Sequence, residues 1–224
     1  MRRDRFTCPL MTDAALSNRP RKGRPRAEDR GLVDERVLDA ATALFLEQGY
    51  GRTTLDQVSD RSRTGKSTLY GRYANKEELF AAVVTRSIDA MFNDLEAGPS
   101  EGDVQSRLRH IGRELARVML DTRCVALMRI TAAEAGNFPD LATLGYRMSF
   151  DGTARYVADA IVGPGQDVPV ASVLPIACRF VELALQPISF QATFGVDPDI
   201  LKKEVGRHVD EAIVLLTATG LLKN

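Results

Sequence analysis

Between Arg61 and Lys76 the chain carries five cations (Arg61, Arg63, Lys66, Arg72 and Lys76) and no carboxylate, interleaved with Thr64, Ser67, Thr68, Tyr70 and Tyr73. Guanidinium, ammonium and hydroxyl groups donate hydrogen bonds to phosphate oxygens and to base edges in a groove. The solvated face of a globular protein mixes both signs, so this donor-rich segment points to a polyanion. Within it, Gly65-Lys66-Ser67-Thr68 matches the end of the phosphate-cradling loop GxxxxGK[ST]. The first glycine of that loop falls at Asp60, whose charge repels phosphate, and no buried strand precedes it, so nucleotide hydrolysis is rejected. His110 and His208 stand alone, with no Ser or Cys at the spacing of a nucleophilic pair. Two histidines and three scattered cysteines leave no metal cluster, and neither a cofactor nor an enzyme activity is expected.

These donors need a scaffold. Leu32, Val37, Leu38, Ala41, Leu44 and Phe45 recur at three- and four-residue steps, which predicts a helix from Gly31 that Gly49 closes. Thr54 caps a short helix over Leu55 to Arg61; after a break at Ser62 to Gly65 another runs through about Tyr73. Asn75 followed by Glu78 reads as a capping box, opening a helix that continues to the Gly98-Pro99 stop. Two short helices joined by a tight turn let one lie across a DNA backbone while the next enters the major groove. Downstream, helices are expected at about 103 to 121, 123 to 136, 139 to 162, 170 to 194 and 198 to 222, with Pro175 and Pro187 kinking or dividing the fourth of these. The expected fold is all-α with about nine helices: a flexible basic arm (1–30), a three-helix helix-turn-helix domain (31–78) and a larger helical domain (79–224).

The formal charge is zero over 224 residues, but it is unevenly placed. Residues 1–30 hold nine Lys/Arg against four Asp/Glu, whereas residues 79–224 hold 14 against 18, so a basic front precedes a mildly acidic body. Arg21, Arg24 and Arg26 flank Gly23 and Pro25 in the manner of an AT-hook, suited to a narrow minor groove; the plainer alternative is a solubilising tail. Met11 is an alternative start to Met1. No secretory signal and no apolar run of membrane-spanning length is read, and three widely spaced cysteines suit a reducing compartment, so a cytoplasmic protein is expected.

The stretch RVLDAATALFLEQGYGRTTLDQVSDRSRTGKSTLYGRYANKEELF resembles the DNA-binding domain of the tetracycline-repressor (TetR) family, over Leu32 to Leu79. It shares Ala40, Ala41 and Phe45 of the first helix, Gly49-Tyr50 after it, Thr53-Thr54, and Thr68-Leu69-Tyr70 of the recognition helix. Tyr73 with Lys76 to Leu79 completes the match. The resemblance implies that Thr54, Tyr70 and Lys76 contact phosphates and that Arg63, Thr64, Lys66 and Ser67 reach base edges; Tyr73 joins the same interface. Ser62, Arg63, Thr64 and Gly65 stand where the family usually has Ala-Gly-Val-Ser, a departure that bears on the operator sequence more than on the fold.

RITAAEAGNFPDL from Arg129 and ELALQPISFQATFG from Glu182 are similar to the C-terminal domain of the AefR-like subset. That resemblance implies a homodimer through the last two helices and a pocket for a small-molecule effector. Arg129, Glu134, Phe138, Tyr146, Phe150, Phe180 and Gln186 are the pocket candidates, together with Met148, since they join apolar area to a few polar handles. The same residues would also suit an ordinary helical core. The stripes Val173, Leu174, Ala177, Val181, Leu185, Ile188 and Val205, Val209, Ile213, Leu216 suit a helical bundle, as core or as interface. Cys124 and Cys178 read as small core residues; Arg123 is the one neighbour that would favour a redox-sensing thiolate. The expected function is a ligand-responsive regulator, a repressor, binding a palindromic double-stranded operator as a homodimer. The alternative is a non-specific architectural DNA binder without effector.

Overall fold

The computed structural model describes residues 27–96 and 102–222, so the candidate arm residues Arg21, Arg24 and Arg26 lie outside the described residues. Nine helices are present among the described residues, and no strand: α1 (Ala27–Arg52), α2 (Leu55–Ser62), α3 (Lys66–Tyr70), α4 (Lys76–Asn93), α5 (Val104–Met119), α6 (Thr122–Ala133), α7 (Pro139–Val162), α8 (Val170–Thr193) and α9 (Pro198–Ala218). The all-helical architecture matches the sequence expectation.

Helix ends follow local chemistry. Gly49, at φ 79°, interrupts α1 near its end, a conformation that lacks a steric penalty only for glycine. Thr54 and Gln57 form a reciprocal box: the Gln57 amide donates to Thr54 Oγ1 at 3.2 Å and the Thr54 amide to Gln57 Oε1 at 2.9 Å. At α4, Asn75 Oδ1 accepts from the Glu78 amide, while Glu78 answers to the amide of Ala74, one residue outside a regular box. The helix α3 stops at Tyr70, short of the expected Tyr73; beyond it the amides of Arg72 and Tyr73 share the Leu69 carbonyl in one last turn. The chain then has room to present Asn75 as a cap.

Pro187 neither divides nor stops α8. Its ring nitrogen has no proton for the Leu183 carbonyl, and the helix widens into one π turn over Val181–Leu185, closed by the Gln186 amide on the Val181 carbonyl. Pro175 is accommodated inside the preceding α segment. Contrary to the sequence expectation, α8 is long and apolar enough to cross a membrane by length and mean hydropathy (1.4), because the few polar residues are scattered among many apolar ones. Ala177, Phe180, Val181, Ala184, Leu185 and Ile188 of this helix are nonetheless buried in the protein core.

Two cores form. Val37, Ala41, Phe45, Val58, Leu69 and Phe80 anchor the first, where Phe45 meets Phe80 edge-on at 5.0 Å. The second joins α5 and α7 to α9, with Leu108, Leu115, Val157, Phe180, Val209 and Ile213 at its centre. Leu79 to Val84 of α4 lie in the first core and Met91 in the second, so α4 belongs to both. From α6, Leu127 enters the first core, and Phe138 beyond it packs edge-on against Tyr50 at 5.1 Å.

Candidate nucleic-acid interface and ligand cavity

The turn between α2 and α3 is fastened from within. Ser59 Oγ donates to the Thr64 carbonyl at 2.6 Å, the Thr64 amide donates to the Ser59 carbonyl at 3.0 Å, and Ser59, Ser62 and Thr64 are buried. Arg63 occupies the left-handed region at φ 52° and ψ 37°, alone in this among the described non-glycine residues. An L-residue there costs about 1–2 kcal/mol, so the turn keeps its shape at the expense of strain that a glycine would not feel. The result is that Arg63 projects into solvent beside Lys66, Ser67, Thr68 and Tyr70, all exposed.

The five cations are not equivalent. Arg61 makes a fork with Glu47 (2.6 and 2.7 Å), and Arg72 pairs with Asp34. Lys66 Nζ lies 2.7 Å from Asp56, which raises its pKa by a side-chain hydrogen bond. Lys76 Nζ donates to the Tyr50 carbonyl at 2.9 Å and sits 4.2 Å from the centre of the Tyr50 ring. Of the five cationic groups the Arg63 guanidinium alone has no acceptor among the described residues; the Arg63 amide donates to the Asp60 carbonyl at 3.2 Å. Tyr73 is half-buried against the first core, and that burial raises its phenol pKa. The exposed set is thus Thr54, Arg63, Lys66, Ser67 and Tyr70, while Thr64 is enclosed in the turn and Lys76 is engaged by α1. Glu47, Asp56 and Ser59, which hold this face together, have no signal in local sequence, because their partners are reached only through the fold.

A cavity of about 670 Å³ lies between α4, α6, α7 and α8. Val84, Ile88 and Met91 supply one wall, Cys124, Leu127 and Met128 a second, and Tyr146, Phe150 and Phe190 the aromatic part. Of the pocket candidates it brings together Tyr146, Phe150 and Gln186, with the Gln186 amide donating to Tyr146 Oη at 3.1 Å. The others are placed elsewhere. Arg129 donates twice to the Ala192 carbonyl, Glu134 accepts from Asn137, Phe138 packs on Tyr50, and Phe180 is fully buried in the second core. Met148 is half-buried and outside the lining. Burial pushes the Cys124 thiol up to about 11, so it stays protonated at neutral pH. Glu182 lines the cavity and was not foreseen. Its signal was available: it is the one carboxylate of α8, four residues before Gln186.

Comparison with known proteins supports both halves of the chain. Residues 37–83 match the model of bacterial regulatory proteins of the tetR family, and residues 106–219 that of the AefR-like transcriptional repressor C-terminal domain. Over 96 residues the chain is 33% identical to the transcriptional activator FasR of Mycolicibacterium smegmatis, covering 42% of each. It is 36% identical over 80 residues, 36% of each chain, to the transcriptional repressor ComR of Escherichia coli. These matches span less than half the length of either relative. Among solved structures, a TetR-family regulator from Mesorhizobium loti superposes with a TM-score of 0.62 at 20% identity, over 85% of this chain and 98% of that one. The flavonoid-responsive regulator FrrA gives 0.60 at 25% identity, over 84% and 97%. Helix-turn-helix domain, helical body and both family matches agree: the chain belongs to the TetR family of bacterial transcriptional regulators, DNA-binding proteins and not enzymes, with a C-terminal domain of the AefR-like type.

Proposed function

We propose that this regulator is a repressor that binds a palindromic operator as a homodimer in the cytoplasm and is released when a small molecule occupies the cavity between α4, α6, α7 and α8. One observation carries the reading most: Arg63, Lys66, Ser67 and Tyr70 are exposed together on α3 and the turn that leads into it. In this reading α3 enters the major groove, with Arg63, Lys66 and Ser67 at base edges and Thr54 and Tyr70 on phosphates. Lys66 exchanges its exposed partner Asp56 for the operator, since solvated ion pairs contribute little.

The dimer face is α8 with α9. The stripes read from the sequence are largely internal, for Ala177, Val181, Leu185, Val205, Val209 and Ile213 are buried within one chain. The opposite sides of the same helices expose Leu183, Val214 and Leu215, with Phe194 at the end of α8 exposed to 75%. Exposed aromatic and aliphatic area of this kind favours burial against a second copy.

Effector release needs a ligand that binds better to one conformation than to the other. Met91 and Val84 of α4 line the cavity, and Leu127 of α6 touches both cavity and first core, so a shift of either helix reaches α1 and the recognition helix. Selection from random duplexes with the full-length protein tests the reading. It should return a two-fold symmetric site with half-sites one helical turn apart, about 34 to 36 Å, or a multiple of this. A protein that sediments as a monomer and enriches no sequence would overturn it.

A further inference from the structure

We propose that the cavity takes a hydrophobic monocation, an ammonium or phosphonium centre carried on aromatic or alkyl area, and discriminates against carboxylates; this rests on the effector reading above. The lining contains one ionisable acid, Glu182, and no Lys, Arg or His. An anion at the lining would therefore meet a carboxylate whose cationic partner, Arg179, lies outside the lining.

The hydroxyls reinforce the same sign. Ser87 donates to the Val83 carbonyl, Thr131 to Leu127, Thr153 to Ser149 and Thr193 to Ser189, at 2.7 to 2.9 Å, and Ser189 Oγ faces Met128 Sδ at 3.6 Å. Their protons are committed to the protein, which leaves lone pairs toward the cavity. Neutral donors remain at Tyr146, Ser149, the second Gln186 amide proton and the Cys124 thiol, and none of them carries a charge to set against an anion. Around them stand aromatic faces and soft sulfur: Tyr146 and Phe150 stack at 5.7 Å, Phe190 adds a third ring, and Met91, Met119 and Met128 line the rest. Aromatic faces attract cations, and thioethers fit irregular apolar groups. Arg179, outside the lining, pairs with Glu182 at the surface, and an exposed pair of this kind yields readily to a ligand.

Titration calorimetry of the full-length protein with tetraphenylphosphonium and tetraphenylborate, ions of nearly the same shape and opposite sign, tests the charge assignment directly. One phosphonium should bind per chain, about tenfold or more tighter than the borate, and Glu182→Gln should weaken the phosphonium by about tenfold while leaving the borate unchanged or tighter. The wild-type comparison stands even if the variant is impaired. Equal or tighter binding of the borate, or a phosphonium affinity untouched by Glu182→Gln, would overturn the cation assignment while leaving an effector cavity in place. The neutral triphenylmethanol separates the two levels: failure of all three probes to bind would refute the effector reading itself.

Discussion

At the scale of single residues, Arg63 joins sequence to function most directly. The family's turn glycine is absent, yet the left-handed conformation is kept, so the backbone bears a strain whose natural return is a guanidinium aimed outward beside α3. Arg63→Gly should therefore stabilise the fold by up to about 1 kcal/mol, raising the melting temperature by roughly 2–4 °C, while weakening operator binding. Thermal unfolding and binding isotherms on the same variant check this; a variant equal to the wild type in both would show that the arginine is merely tolerated. Thr64 shows where residue-level reading stops. Its type suits a base contact, but burial and the bond from Ser59 assign it to holding the turn. Lys76 is similar, a cation whose nearest anion-like groups are carbonyls at the end of α1.

At the scale of elements, α6 and the residues just beyond it bridge cavity and DNA-binding core. Cys124 and Met128 face the cavity, Leu127 touches both, and Phe138 rests on Tyr50, which in turn lies under Lys76. Phe138→Ala should leave unliganded operator affinity near wild type but cut the coupling, so that a ligand which releases the wild type by about five- to 150-fold releases the variant far less. Anisotropy titrations with and without a bound cavity ligand measure the ratio, and an unchanged ratio would remove Phe138 from the path. The helices themselves were legible in the sequence because apolar residues such as Val37, Ala41, Leu44 and Phe45 recur at three- and four-residue steps and because Thr54 and Asn75 are strong caps. The recognition segment was legible because its charge is one-signed. The cavity was less so. Apolar period marks Phe180 and Phe150 alike, and only packing separates the residue that fills the core from the one that lines a void. The π turn was hidden for a related reason: Pro187 announces a disturbance, but the neighbours decide whether the helix breaks or widens.

At the scale of the whole molecule, the chain is a polarised object. A donor-rich front is joined through α4 and α6 to a body that exposes Leu183, Val214 and Leu215 on α8 and α9. Such a body has reason to pair, and pairing by a two-fold axis would convert one recognition helix into two at fixed spacing. Sequence-specific binding by that pair is the activity proposed for this chain. Fluorescence anisotropy with the duplex selected from random DNA and with a shuffled duplex of the same composition, across a salt series, tests it most directly. Two chains should bind each selected site, with an affinity roughly a thousandfold or more above that for the shuffled duplex. Equal, steeply salt-dependent affinity for both duplexes would contradict it and would make this chain a non-specific binder of phosphate.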